Sequence, residues 1–229
     1  MRALRILLIT AVVLAGLFVA ADRLAVNYAE SEAADRIRAS QGLATTPDVS
    51  IRGFPFLTQV LGRELDQVDI AVTGVEATAG GRKVRVGEMN AELRQVRLEG
   101  DFSRAVARSA SGTARISYPD LGAASGEDVT LGHGGDGKVK VTGSVEVFGR
   151  TITRSVLSSV SIVGGDTIRV RADEVPGEGI PGLEDMVRQR TDFDRQIGGL
   201  PAGLKLRKVE ARPDGVTVSL TGAGVVLAG

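Results

Sequence analysis

Two glycine-rich stretches and three carboxylate pairs are the places where this chain has the residue types for chemistry. "GHGGDG", Gly132 to Gly137, has the G-x-G-x-x-G spacing associated with phosphate cradles. A cradle needs a helix directly after the glycines, because the unpaired N–H groups of a first helical turn form the anion site. Here the strand-like "KVKVTG" follows, so the stretch reads as a glycine loop. "GEGIPG", Gly177 to Gly182, is better placed, between a strand and a predicted helix. Its strand, "IRVRADEV", alternates with arginines and is half exposed, whereas dinucleotide-binding strands are buried on both faces. No nucleotide site is expected. His133 beside Gly134 and Gly135 has the look of an oxyanion loop, yet the sequence contains no G-x-S-x-G nucleophile elbow, and His133 reads as a solvated turn residue. The acids pair as Glu127 with Asp128, Asp173 with Glu174, and Glu184 with Asp185. Glycosidase chemistry needs two carboxylates facing across a cleft, and neighbours in sequence do not provide that. Glu184 and Asp185 suit a first helical turn, where acids oppose the helix dipole.

The totals narrow the classes further. There is no cysteine, which excludes disulfides, thiolate metal sites and thiol catalysis. One histidine excludes multi-histidine zinc sites. No catalytic residue, metal or cofactor is therefore assigned, and the chain is expected not to be an enzyme. The 28 basic residues balance 28 acidic ones, and without Arg2 and Arg5 the remainder carries 26 against 28. Nucleic acid needs a concentrated basic surface, so it is not an expected partner. Of the 28 basic residues 23 are arginine, whose planar fork suits phosphate, although this usage alone identifies no ligand.

The elements that would position any site begin with residues 1–21. Arg2 and Arg5 precede "ILLITAVVLAGLFVAA", Ile6 to Ala21, sixteen residues without a charge. A positive start followed by an apolar run is an export signal or signal anchor, with the arginines on the cytoplasmic side. The rest, residues 22–229, is expected to be one domain outside the cytoplasmic membrane, in the cell envelope or a periplasm-like space, anchored or secreted.

From Asp22 to Ser40, Val26, Ala29, Ala33 and Ile37 recur three or four apart and predict a helix. "PDVSI" predicts a strand that ends at Gly53. In "GFPFLTQVLG", Pro55 holds Phe54 extended and opens a short helix that stops at Gly62, with Phe56, Leu57, Val60 and Leu61 along it. Strands follow. The alternation Val68, Ile70, Val72 changes phase at Gly74, and the next strand changes phase around Val86 and again before Val96, which predicts bulges. "AGGRK" predicts a hairpin turn. A short helix is expected around Phe102, Ala105 and Val106, then a strand "TARIS". Val139, Val141, Gly143, Val145 and Val147 keep a strict period of two, and Ile152, Val156, Val160 and Ile162 continue the pattern after a turn at "FGRT". After Ile168, Val170 and Ala172 come a Pro/Gly linker, a helix from Leu183 to about Ile197, and two strands joined by "RPDG".

The fold class is therefore α+β: a long, curved, bulged antiparallel sheet wrapping one or more helices. The inward face is rich in valine, alanine and glycine, too small to fill a wide interior alone. Either the helices plug it or a ligand does.

Four segments together resemble the actinobacterial LmeA-like phospholipid-binding family, long filed as a domain of unknown function. They are the export segment leading into "ESEAADRIRAS"; "PDVSIRGFPFLTQVLGRELDQVDIAVTGV", in which "GFPFLTQVL" is most specific; "VKVTGSVEVFGRTITRSVLSSVSIVGGDTIRV"; and "GLPAGLKLRKVEARPDGVTVSLTGAGVVL". The resemblance covers nearly all of residues 22–229. It implies an envelope protein that binds phospholipid or a related lipid without catalysis, and, more loosely, a tubular lipid-binding fold. The family supplies no catalytic residues. The lipid-contacting residues expected on this basis are Phe54, Phe56, Leu57, Val60, Leu61, Val141, Val145 and Val147. A structural or interaction module of the envelope with a dry core is the alternative, and an enzyme working through carboxylates is the third. For the "GFPFLTQVL" corner two uses stand open: a helix docked on the sheet, or one closing the groove or dipping into the membrane surface.

Overall fold

The apolar N-terminal run and the amphipathic segment behind it form one unbroken helix, α1 (Arg2–Gln41). This computed structural model describes residues 2–79, 81–100, 104–125, 129–147, 150–173, 188, 191–198 and 200–227. No glycine or proline stands between Gly16 and Gln41 to interrupt α1, and Gly42, at φ 61°, follows its end. Residues 2–21, the first half of α1, are all exposed. Its second half buries Val26 and Ala34 and half-buries Ala29, Ala33 and Ile37, the expected stripe.

That stripe lies on β1 (Asp48–Arg52) and α2 (Phe56–Leu61), the two elements predicted around Gly53. Pro55 sits one position earlier than a first-turn proline: it is the residue before the helix, extended at ψ 140°, and the Phe54–Pro55 peptide is cis. Then come β2 (Glu64–Ala79), β3 (Arg82–Glu99), β4 (Arg104–Ile116), α3 (Tyr118–Ser125), β5 (Val129–Gly135), β6 (Lys138–Val147), β7 (Arg150–Val163), β8 (Thr167–Ala172), β9 (Phe193–Gln196), β10 (Leu204–Arg212) and β11 (Gly215–Leu227). They form two open antiparallel sheets, ordered β1-β2-β3-β4-β11-β10 and β5-β6-β7-β8-β9. The α+β expectation with long antiparallel strands holds.

Two cores result. The first lies between α1, α2 and the β1–β4 side of the large sheet, around Phe56, Val68, Leu93, Val96 and Val225. The second lies between the small sheet, α3 and the β10–β11 side, around Val139, Val141, Val156, Leu206 and Val218. Each valine or leucine so buried contributes about 1.5–3 kcal/mol relative to exposure. β10 and β11 serve both cores, and so tie the two layers together.

The phase changes read as bulges have another origin. β2 and β3 keep one register from Glu64↔Arg97 to Ala79↔Arg82, so nothing is inserted at Gly74, which has φ 68°. The pairing skips Gly74 with Gly87, and also Asp66, Gln95, Arg108 and Gly224, which lie in a row across β2, β3, β4 and β11. Gln95 and Gly224 adopt φ 50° and 61° there. On β3 the left-handed residue rotates the strand without adding to it, and across the row Leu65 and Val68, Val96 and Leu93, and Ala107 and Ala110 reach the same core at a spacing of three. Register shifts do occur elsewhere, between Leu206 and Lys208 and between His133 and Gly135.

Other expectations need correction. Ala105 and Val106 lie in β4 rather than a helix, because pairing with Leu98 and Arg97 of β3 on one side and Leu227 and Val226 of β11 on the other outweighs local propensity. Phe102 is outside the described residues. The helix expected to Ile197 does not reach it: residues 193–196 are β9, paired with β8. Much of "GHGGDG" belongs to β5, with only Asp136 and Gly137 left as the turn. The turn at "FGRT" falls on residues 148–149, the "GEGIPG" stretch on residues 174–187, and Glu127 with Asp128 on residues 126–128, all outside the described set.

Candidate functional site

The residues expected to touch lipid do not share one surface. Phe56 is buried in the first core, with Leu57 and Val60 packed beside it. Phe54 and Leu61 point outward, 57% and 84% exposed. Val141 is buried in the second core. Val145 and Val147 lie on the same strand, β6, and their side chains are outside the description.

The α2 corner is held by a carboxylate from α1. No side chain of its own caps α2. Asp22, the first residue after the apolar run, accepts the Leu57 N–H at 2.9 Å and is fully buried. Burial opposes its charge, and the Leu57 N–H and the Arg23 guanidinium, each 2.9 Å away, offset that cost. Asp22 thus acts as a helix cap supplied from another helix. Two turns on, Glu30 accepts the Ile51 N–H of edge strand β1 at 2.7 Å. Arg23 lies over the Phe54 ring, 5.1 Å from its centroid.

At the second core, apolar side chains are left partly open. A cleft of about 750 Å³ lies where the β7–β8 turn (Gly164, Gly165, Asp166), the end of β9 and the residues after it (Gln196, Ile197, Gly198), Leu200 with the start of β10 (Leu204, Lys205), and Gly81, at the tip of the β2–β3 hairpin, meet. Ile197 and Leu200 line it and also pack on the second core. Its walls are fixed by backbone bonds: Leu206 N–H to Gly165 O at 2.7 Å, and Ile197 N–H to Asp166 O at 2.8 Å. The Lys205 stem runs over Gly165, where a Cβ would come within 3.4 Å of it. Hydrogen bonds from Gln196 (2.7 Å) and Thr167 (2.8 Å) keep the Asp166 carboxyl below its usual range. The cleft therefore has an apolar floor and a rim bearing one ammonium, one carboxylate and glycine backbone. Such a rim offers ionic and hydrogen-bonding partners to a polar headgroup.

Beside the cleft, the outer face of β8 and β9 carries an ion-pair network. Arg169 grips Asp194 through two nitrogens at 3.0 and 2.7 Å, and Arg171 reaches the same carboxylate at 3.1 Å. These pairs neutralise each other and hold edge strand β9 in place. Asp173 is likewise engaged, with Ser159 and Lys138. Among the described residues, no three of His, Asp and Glu are grouped closely enough to hold a metal ion. On β7, the Ser158 hydroxyl is fully buried between apolar neighbours and has no hydrogen-bond partner among the described residues.

Sequence reasoning did not find the cleft. Its glycines were legible as turns, but the convergence of Ile197, Leu200 and Leu204 depends on β9 being a strand. Asp22 was also missed. The signal was there: an acid placed directly after an apolar run, where a charge needs a reason.

In comparison with known proteins, the family model described as LmeA-like phospholipid-binding matches residues 20–221. No curated protein and no solved structure matches the chain.

Proposed function

The chain belongs to the LmeA-like phospholipid-binding family, and on that premise we propose that it holds a phospholipid by its acyl portion in the cleft at the second core, with the headgroup at the Lys205 and Asp166 rim. The observation that carries this reading is the double membership of Ile197 and Leu200: they line the cleft and pack on the core, so an acyl chain entering there meets apolar surface continuous with the interior. Lipid pockets need this combination of apolar walls and a few placed polar groups. α1 serves as the anchor. Its N-terminal stretch is apolar and long enough to cross a membrane, and the positive end set by Arg2 and Arg5 keeps the folded body on the extracytoplasmic side. The role is binding, the property that the family description carries.

The test uses the full chain in vesicles containing a phospholipid with a photoreactive group at the acyl terminus. After illumination, the labelled peptides are identified by mass spectrometry. The reading expects label on the segment from Ile197 to Lys205 as well as on residues 1–21. Label confined to residues 1–21 and α2 refutes it. That outcome supports instead a ligand-free interaction module of the envelope, the reading that the burial of Phe56 and Val141 in packed cores favours.

A further inference from the structure

The apolar side chains that the body leaves in water lie at one level along α1. Beyond Ala21, the exposed large hydrophobics among the described residues are Leu24 (72%), Tyr28 (73%), Phe54 (57%), Leu61 (84%) and Leu157 (41%). All but Leu157 lie on the first turns of α1 after the apolar run or on the α2 corner. Leu24 and Tyr28 are one turn apart on the same side of α1. The corner is held at that level by the bond from Asp22 to the Leu57 N–H. Single exposed leucines are ordinary, but four large apolar side chains at one level, Leu24 and Tyr28 on α1 and Phe54 and Leu61 on the corner, fit contact with a layer rather than with one partner face.

Its level along α1 identifies what it contacts. Sixteen apolar residues rise about 24 Å, less than the roughly 30 Å hydrocarbon core of a bilayer. A short span draws its flanks toward the membrane. Asp22 to Tyr28 adds about 10 Å more of helix, which crosses the headgroup layer. Phe54 and Leu61, held beside Asp22, fall within that layer, where aromatic rings and aliphatic side chains are both solvated favourably. Arg23, lying over the Phe54 ring, stands at phosphate depth.

We propose that the α2 corner, with Leu24 and Tyr28, is a membrane foot: a second lipid contact, seated in the headgroup layer of the leaflet from which α1 emerges, that fixes how the body stands on the bilayer. The proposal rests on α1 crossing that bilayer. The chain contains no tryptophan, so single tryptophans report depth without background. Full-length Phe54→Trp, Leu61→Trp, Leu157→Trp and Leu14→Trp variants are reconstituted in phosphatidylcholine–phosphatidylglycerol vesicles. Their fluorescence is quenched with lipids brominated near the headgroup, with lipids brominated deep in the chain, and with aqueous iodide. Each replaced residue is exposed, so the fold tolerates the larger ring. The foot predicts that shallow bromolipid quenches Phe54→Trp and Leu61→Trp several-fold more than Leu157→Trp, with iodide showing the reverse order, while deep bromolipid quenches Leu14→Trp. If Leu14→Trp is quenched by lipid and both corner variants behave like Leu157→Trp, the foot is overturned and the anchor stands. If Leu14→Trp also escapes lipid, the spanning reading falls and the foot with it. Neither outcome touches the labelling of Ile197 to Lys205, which tests the cleft separately.

Discussion

Two phenylalanines flank one proline, and the structure gives them opposite work, so removing each ring should have a different consequence. Phe56 is 6% exposed in the first core. A buried phenylalanine removes about 150–250 Å² from water, which at about 25 cal/mol/Å² gives roughly 4–6 kcal/mol as an upper bound. Measured phenylalanine-to-alanine losses in cores are about 3–5 kcal/mol. Phe56→Ala should therefore cost about 3–5 kcal/mol, or roughly 6–20 °C in melting temperature for a chain of this size. Phe54 is 57% exposed and stacks under Arg23. Phe54→Ala should cost less than about 1 kcal/mol, the value of an exposed cation–π contact. Urea unfolding of the full chain in neutral detergent, followed by far-ultraviolet circular dichroism, measures both. If the two variants are destabilised equally, or Phe56→Ala loses less than about 1 kcal/mol, the assignment of the inner ring to the core is wrong.

Gly215, at φ 151°, closes the β10–β11 turn against β4, and a Cβ there would overlap the Ile116 carbonyl oxygen; Gly215→Ala should cost at least about 1–3 kcal/mol in the same unfolding assay. Leu200→Asp places a carboxylate in the apolar wall of the cleft, and at about 1–3 kcal/mol it should lower photolipid labelling of the segment from Ile197 to Lys205 by about tenfold while leaving residues 1–21 labelled. Asp173 is held below its usual range by the Ser159 hydroxyl and Lys138. A depressed folded pKa stabilises fully above the unfolded value of about 3.9 and less as pH falls through the folded one. The stability gap between the native chain and Asp173→Asn should thus be constant above about pH 5 and shrink below about pH 4; a gap that widens in acid contradicts the assignment.

What could be read from sequence follows the range of the interaction. The stripe Val26, Ala29, Ala33, Ile37 predicts the docked half of α1, because a helix face is a local repeat, and the period-two valines predict β6 for the same reason. The phase breaks near Gly74 and Val96 were visible, but their cause was not. An inserted residue and a left-handed one both shift the pattern, and only the partner strands distinguish them, through the row Asp66, Gln95, Arg108, Gly224. β4 was read in part as helix because its serines and alanines carry little strand preference, and its conformation comes from β3 and β11 on either side. α3 was overlooked although Ser117 and Asp120 exchange the hydrogen bonds of a helix start. A short helix opening after Pro55 and ending at Gly62 was legible, but nothing local to "GFPFLTQVL" says that Asp22 holds it or that Leu61 turns outward, away from Phe56 and Val60. The cleft is the least legible part, since its walls come from four separate stretches of chain.

The β2–β3 hairpin has a mechanical meaning. Its root follows directly from α2, and its tip, Gly81, reaches the cleft. The 16 residues of β2 give it a contour of about 50 Å. One continuous ribbon therefore sets the distance between the α2 corner and the cleft, in the manner of a ruler. Because the register is unbroken, removing two facing pairs shortens the ribbon without turning its faces over. The separation of the α2 corner from the cleft thus becomes a quantity that can be set residue by residue.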